Sequence, residues 1–61
     1  MSEAERRNKR EAISRLLAQA QAYEKLADAE VLPAAQMHLR GRALQSRGSA
    51  WVMQAEIMEE A

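Results

Sequence analysis

Cysteine and phenylalanine are missing from this 61-residue chain, and it holds one proline, one histidine, one tyrosine and one tryptophan. Without cysteine no disulfide can staple the fold, and one histidine with no thiol cannot build a structural zinc site. Long apolar runs are missing too: fragments such as Ala50-Trp51-Val52-Met53 fall far short of the roughly 18 residues needed to cross a bilayer. There is no charged leader, apolar stretch and cleavage site at the start, so the expected location is the cytoplasm. Net charge is also lacking, since nine basic side chains balance nine acidic ones. No global field draws the chain toward nucleic acid or an anionic membrane, and any such attraction has to be local.

What remains is rich in Ala, Leu, Gln, Arg, Glu and Met, a composition that forms helices rather than strands. A chain this short makes one domain at most and buries a small fraction of its surface. With disulfides and metal excluded, oligomerisation or a partner is the remaining source of stability.

The plainest pattern is a heptad repeat in the second half. Small residues recur at Ala34, Gly41, Gly48 and Ala55, and bulky ones at Met37, Leu44, Trp51 and Met58. That is an a/d seam of the coiled-coil kind, in which slight side chains admit a close neighbour and bulky ones supply contact area. Glycine inside a helix costs about 1 kcal/mol against alanine, so Gly41 and Gly48 call for a reason. Close approach of a facing helix, or a facing aromatic (Trp51 or Tyr23) seated in the notch, supplies one. The plain alternative is drift in a weakly constrained helix.

Charge is laid out in blocks. Residues 1–15 sum to plus two, 16–33 to minus two, 34–49 to plus three and 50–61 to minus three. If the chain folds back near residue 31, every block lies beside its opposite. Asp28, Glu30, Glu56, Glu59 and Glu60 sit near helix C-termini, the wrong pole of the macrodipole, at a few tenths of a kcal/mol each. Neighbouring helices must offset that. Exposed ion pairs contribute only about 0–1 kcal/mol apiece, so they indicate orientation while packing supplies stability.

Local signals agree. Ser2 followed by Glu5 reads as a capping box, and no Gly or Pro interrupts the chain from there to Ala29. Pro33 fits badly inside a helix, at about 3 kcal/mol, and well in its first turn. The expectation is an all-α fold: an antiparallel two-helix hairpin with helix one over about residues 3–29, a turn at about 30–32 and helix two over about 33–59. The heptad also traces back through Ala27, Ala20 and Ile13 with Tyr23 and Leu16, spoiled only by Glu30, so a long rod kinked at Pro33 is the competing arrangement.

Helix one carries a single apolar stripe of Ile13, Leu16, Leu17, Ala20, Tyr23 and Ala27. Helix two carries its heptad seam and, on roughly the opposite side, a second stripe of Leu32, Leu39, Ala43, Ala50, Met53 and Ile57. Helix one can cover only one of these. The uncovered one has to meet another chain, with a second copy giving a homodimeric four-helix bundle. The best candidate for a protein interface gathers Met37, Arg40, Gly41, Leu44, Arg47, Gly48, Trp51 and Met58, because Trp and Arg most often dominate binding energy and methionines adapt to uneven surfaces. The bland reading puts Trp51 in the hairpin's own core.

Chemistry finds little footing. His38 has no cysteine or second histidine to act with, and Ser2, Ser14, Ser46 and Ser49 have no base within helical reach. Glu24 and Asp28 at i,i+4, with Glu56, Glu59 and Glu60 on the other arm, superficially suit a carboxylate-bridged metal. The Glu-x-x-His element of such sites is missing. Both glycines fall inside helix two, so no loop cradles phosphate. The expectation is a non-enzyme with no cofactor, no metal and no small-molecule substrate.

The stretch Arg6, Arg7, Asn8, Lys9 and Arg10 resembles in composition the arginine-rich helices of phage antitermination peptides, which implies RNA contact through those cations. Glu3, Glu5 and Glu11 interleave it, and in a hairpin the acidic C-terminal block would mask it. In plan, two equal helices and a short turn resemble Rop-type plasmid regulators, whose dimeric bundles bind paired RNA loops, and the small hairpin co-chaperones of type III secretion needles. Both are likenesses of architecture, which do not transfer function. The reading that follows is a cytoplasmic protein-binding regulator of the bacterial or phage kind, an adaptor, co-chaperone or inhibitor acting as a homodimer. A Rop-like RNA-binding dimer is the alternative.

Overall fold

A computed structural model describes residues 1–60 and contains two helices, α1 over Glu3–Ala29 and α2 over Pro33–Glu59, packed against each other as a hairpin. The chain begins α1 where Ser2, in extended conformation, accepts the Glu5 amide on its hydroxyl at 3.1 Å. Glu3 and Glu5 place negative charge in that first turn, on the favourable side of the helix dipole.

The reversal is built from Glu30 and Pro33. Glu30 leaves the helix with extended backbone while its amide still donates to the Ala27 carbonyl at 3.2 Å. Leu32, the residue before α2, has no side chain to cap it, and Pro33 takes the first helical position, where its missing amide proton is harmless. The Glu30 carboxylate ties the turn itself, accepting the Val31 and Leu32 amides at 3.0 and 3.2 Å, and sets a negative charge just ahead of α2. Gln36 closes the turn by donating from Nε2 to the Glu30 carbonyl at 2.7 Å. The chain therefore turns back at Pro33 rather than continuing as a kinked rod.

Between the helices lie Ile13, Ala20 and Ala27 of α1 and Ala43, Ser46 and Ala50 of α2, all buried. Half-buried Leu16, Tyr23, Leu39, Met53 and Ile57 flank them. On both helices these positions follow alternating steps of three and four, the spacing of a coiled-coil seam. Because Ile13, Ala20 and Ala27 are one heptad apart, and Ala43, Ala50 and Ile57 likewise, a single antiparallel register sets Ile13 by Ile57, Ala20 by Ala50 and Ala27 by Ala43. The Glu24–Arg47 and Asp28–Arg40 pairs obey that register.

The seam that closes the hairpin is thus the second stripe, not the repeat of Met37, Leu44, Trp51 and Met58. Trp51 therefore stands outside the hairpin core, 59% exposed: alanine facing alanine on two helices packs more closely than a tryptophan row allows. Leu32, assigned to the second stripe, stands exposed in the turn.

The resulting rod measures 45 × 15 × 10 Å, with a radius of gyration of 14.1 Å, where a compact chain of this length has about 10–11 Å. It exposes 4,596 Å² against about 4,000 Å² for a compact protein of this mass. Among the described residues no large side chain is fully buried. A core of alanines with one isoleucine and one serine contributes little hydrophobic stabilisation at about 25 cal/mol per Å².

Candidate functional site

With the alanine seam turned inward, the other seam of α2 faces outward as a row. Met37 is 74% exposed, Leu44 65%, Trp51 59% and Met58 76%. Ala34, Gly41 and Ala55 lie exposed beside them and Gly48 is half-buried. At 100° per residue the centres of the two seams lie about 150° apart around the helix, so the outer seam points largely away from α1, although Met58 also borders a groove with Arg10, Ile13 and Ser14 and Leu44 one with Glu24. Val52, 60% exposed, borders it. Large apolar side chains scattered singly on a surface need no explanation, but four aligned on one helix face at every second turn do.

The glycines belong to this outer row. A methyl group built on Gly41 or Gly48 would meet nothing within 4 Å. Neither glycine is required by the hairpin's own packing, and neither Tyr23 nor Trp51 of the same chain fills the notch. A shallow depression lies over Gly41, lined by Met37, His38, Arg42 and Gln45.

The edges of the row are charged and engaged with α1. Arg47 pairs with Glu24 at 2.5 Å and Arg40 with Asp28 at 3.5 Å. The eight interface candidates therefore divide: Met37, Gly41, Leu44, Trp51 and Met58 share the open face, Gly48 lies half-buried along it, and Arg40 and Arg47 stand at its border, turned toward α1. Of the second stripe, Ala43 and Ala50 are buried and Leu39, Met53 and Ile57 half-buried, all in the closed seam.

At the open end of the hairpin the basic and acidic blocks meet as their layout requires. Lys9 pairs with Glu56 at 2.5 Å, the N-terminal ammonium with Glu60 at 2.6 Å, and Arg6 donates to the Glu60 carbonyl at 3.3 Å. The hydrogen bond to Glu56 raises the Lys9 ammonium above its ordinary value, and the hydrogen bond from the N-terminal ammonium, helped by its charge, lowers the Glu60 carboxyl. Of the acids at the unfavourable poles, Asp28, Glu56 and Glu60 are thereby met by cations of the other arm, while Glu30 and Glu59 make no ion pair among the described residues. Arg7 and Arg10 are exposed and make no ion pair among the described residues.

Among the described residues no three His, Cys, Asp or Glu side chains gather where they could hold a metal ion. His38 is exposed on α2, Ser46 is buried in the seam and Ser2 caps α1. Among the described residues no helix is long and apolar enough to cross a membrane. Sequence reasoning missed Ser46 and Gln36 as seam positions because both are polar, though the three-four spacing passes through them. It also read Glu30 as a defect in the repeat, when its carboxylate organises the turn. The chain matches no family model, no curated protein and no solved structure.

Proposed function

We propose that this protein is a small non-enzymatic protein-binding module, an adaptor, co-chaperone or inhibitor, that acts by packing the outer face of α2 against another helix, with self-association as its first use. The observation that carries the reading is the row of Met37, Leu44, Trp51 and Met58 held in water beside two glycines that the hairpin does not need. Tryptophan is among the side chains that most often anchor interfaces, and methionines conform to uneven partners. The surface excess of the hairpin supports the same conclusion, because a lone copy leaves uncovered what a compact protein would hide.

An RNA-binding dimer has less support. Of the four cations at Arg6, Arg7, Lys9 and Arg10, two are already held by the C-terminal arm through Glu56 and the Glu60 carbonyl. Affinity capture at 50 and 200 mM salt with mass spectrometry separates the readings. A packed protein interface holds its target at both and loses it on Trp51→Ala. Loss of all binding across that salt range, together with sensitivity to Arg6→Ala with Arg10→Ala and none to Trp51→Ala, overturns the proposal in favour of RNA.

A further inference from the structure

The open seam of α2 is complementary to itself when reversed. Set one copy of α2 antiparallel to another about an axis level with residue 46, and Met37 meets Ala55, Leu44 meets Gly48, Trp51 meets Gly41 and Met58 meets Ala34 of the second copy. Every bulky side chain faces a small one in all four pairings, each of which the two-fold axis repeats. The axis also falls at the midpoint of Pro33–Glu59, so the two helices overlap along their whole length, about 40 Å. An off-centre pattern would have left one end of each helix bare.

Two further features fit that register. The depression over Gly41, rimmed by Met37, His38, Arg42 and Gln45, lies where the incoming Trp51 would sit. Arg42 in the basic block and Glu59 in the acidic block make no ion pair among the described residues, so a reversed copy brings these charges of opposite sign toward each other's half while a parallel copy sets like beside like. The area is adequate as well. Each hairpin exposes about 600 Å² more than a compact protein of its mass, and two such surpluses reach the lower edge of a standard interface, about 1,200 Å² in total.

We infer that the outer face of α2 is covered by a second copy of this chain, α2 against α2, antiparallel about an axis level with residue 46 on the side of the helix opposite the Ser46 side chain. The inference rests on the reading of that face as a binding surface and names what binds there. It also fixes the architecture. The two seams of α2 diverge by about 150°, whereas a closed four-helix bundle needs each helix to meet its two neighbours at about a right angle. The dimer is instead an open layer in the order α1, α2, α2, α1, with its two faces left free for a further partner.

Single-cysteine variants test this directly, because the chain has no cysteine of its own. Under mild oxidation Met37→Cys mixed with Ala55→Cys forms a heterodimeric disulfide, while Met37→Cys alone does not, its two copies lying about 27 Å apart. Sedimentation equilibrium of the cysteine-free chain shows a dimer, its Trp51 fluorescence shifts to the blue on association, and Trp51→Ala weakens association about 30-fold or more. Cross-linking of Met37→Cys to itself overturns the antiparallel register. A chain monomeric at high concentration overturns the second copy altogether; if it still captures a protein that Trp51→Ala fails to capture, the wider reading of the face stands, and if it captures nothing both fall.

Discussion

α1 and α2 are equal in length at 27 residues each and meet through seams of matching design, yet they differ in what they turn to solvent. Behind its seam α1 presents Arg7, Ser14, Gln21 and Lys25, a polar face that water satisfies, interrupted by the exposed Leu26. Behind its seam α2 presents Met37, Leu44, Trp51 and Met58. One helix is amphipathic in the ordinary sense. The other carries apolar residues on opposite sides, which nearly cancel as a direction, so one neighbour completes α1 and leaves α2 half covered. Both helices use small residues where they touch, but only the hairpin seam has found its occupant.

The largest expected effect comes from breaking that closed seam. Ala20 is fully buried, and Ala20→Asp strands a charge there, a loss of about 3–5 kcal/mol, enough to unfold the hairpin in circular dichroism. Ala22→Asp, on the solvent face of the same helix, should leave the melt within about 0.5 kcal/mol. Equal sensitivity at the two positions would mean that the faces of α1 do not differ as described.

On α2 the contrast should invert. Trp51→Ala is expected to leave the isolated hairpin's helical content intact while costing assembly about 2 kcal/mol or more, read as the change in dissociation constant by sedimentation. A matching loss of hairpin stability at concentrations too low for assembly would return Trp51 to the core. The glycines sharpen the point at smaller scale. Gly48→Ala should raise the stability of the lone hairpin by about 1 kcal/mol, since nothing blocks the added methyl, whereas Gly48→Leu should prevent assembly by filling the notch.

The legibility of the chain divides along the same line. The hairpin was readable because its signals are local and redundant: Ser2 caps, Pro33 starts, and four charge blocks each lie beside their opposite when the chain reverses. Which face of α2 would close it was not. Hydrophobic strength marks Trp51 and the methionines as core, but the decision fell to steric matching between Ala20 and Ala27 on one arm and Ala43 and Ala50 on the other. Ser46 hid in that seam because a hydroxyl does not register as apolar. Glu30 interrupts a repeat in the sequence, and only in three dimensions does its carboxylate reach the Val31 and Leu32 amides.

The smallest effects concern the ends. The lowered Glu60 carboxyl contributes stability above its unfolded value, about 4.3, that is lost as pH falls through the folded one. The raised Lys9 ammonium contributes below about 10.4 and loses it as pH rises through its folded value. Both groups are exposed, so urea titrations at pH 3, 7 and 11 should show a shallow maximum near neutrality that flattens in salt. Glu56→Gln should remove most of the alkaline arm.

The central claim is that a single hairpin is an incomplete object because the outer face of α2 lacks cover. It is tested most directly by the thermal melting midpoint of the purified chain over two decades of protein concentration. Assembly through that face predicts a midpoint that climbs with concentration. A sharp, cooperative melt at one temperature throughout, with the chain monomeric, would contradict it.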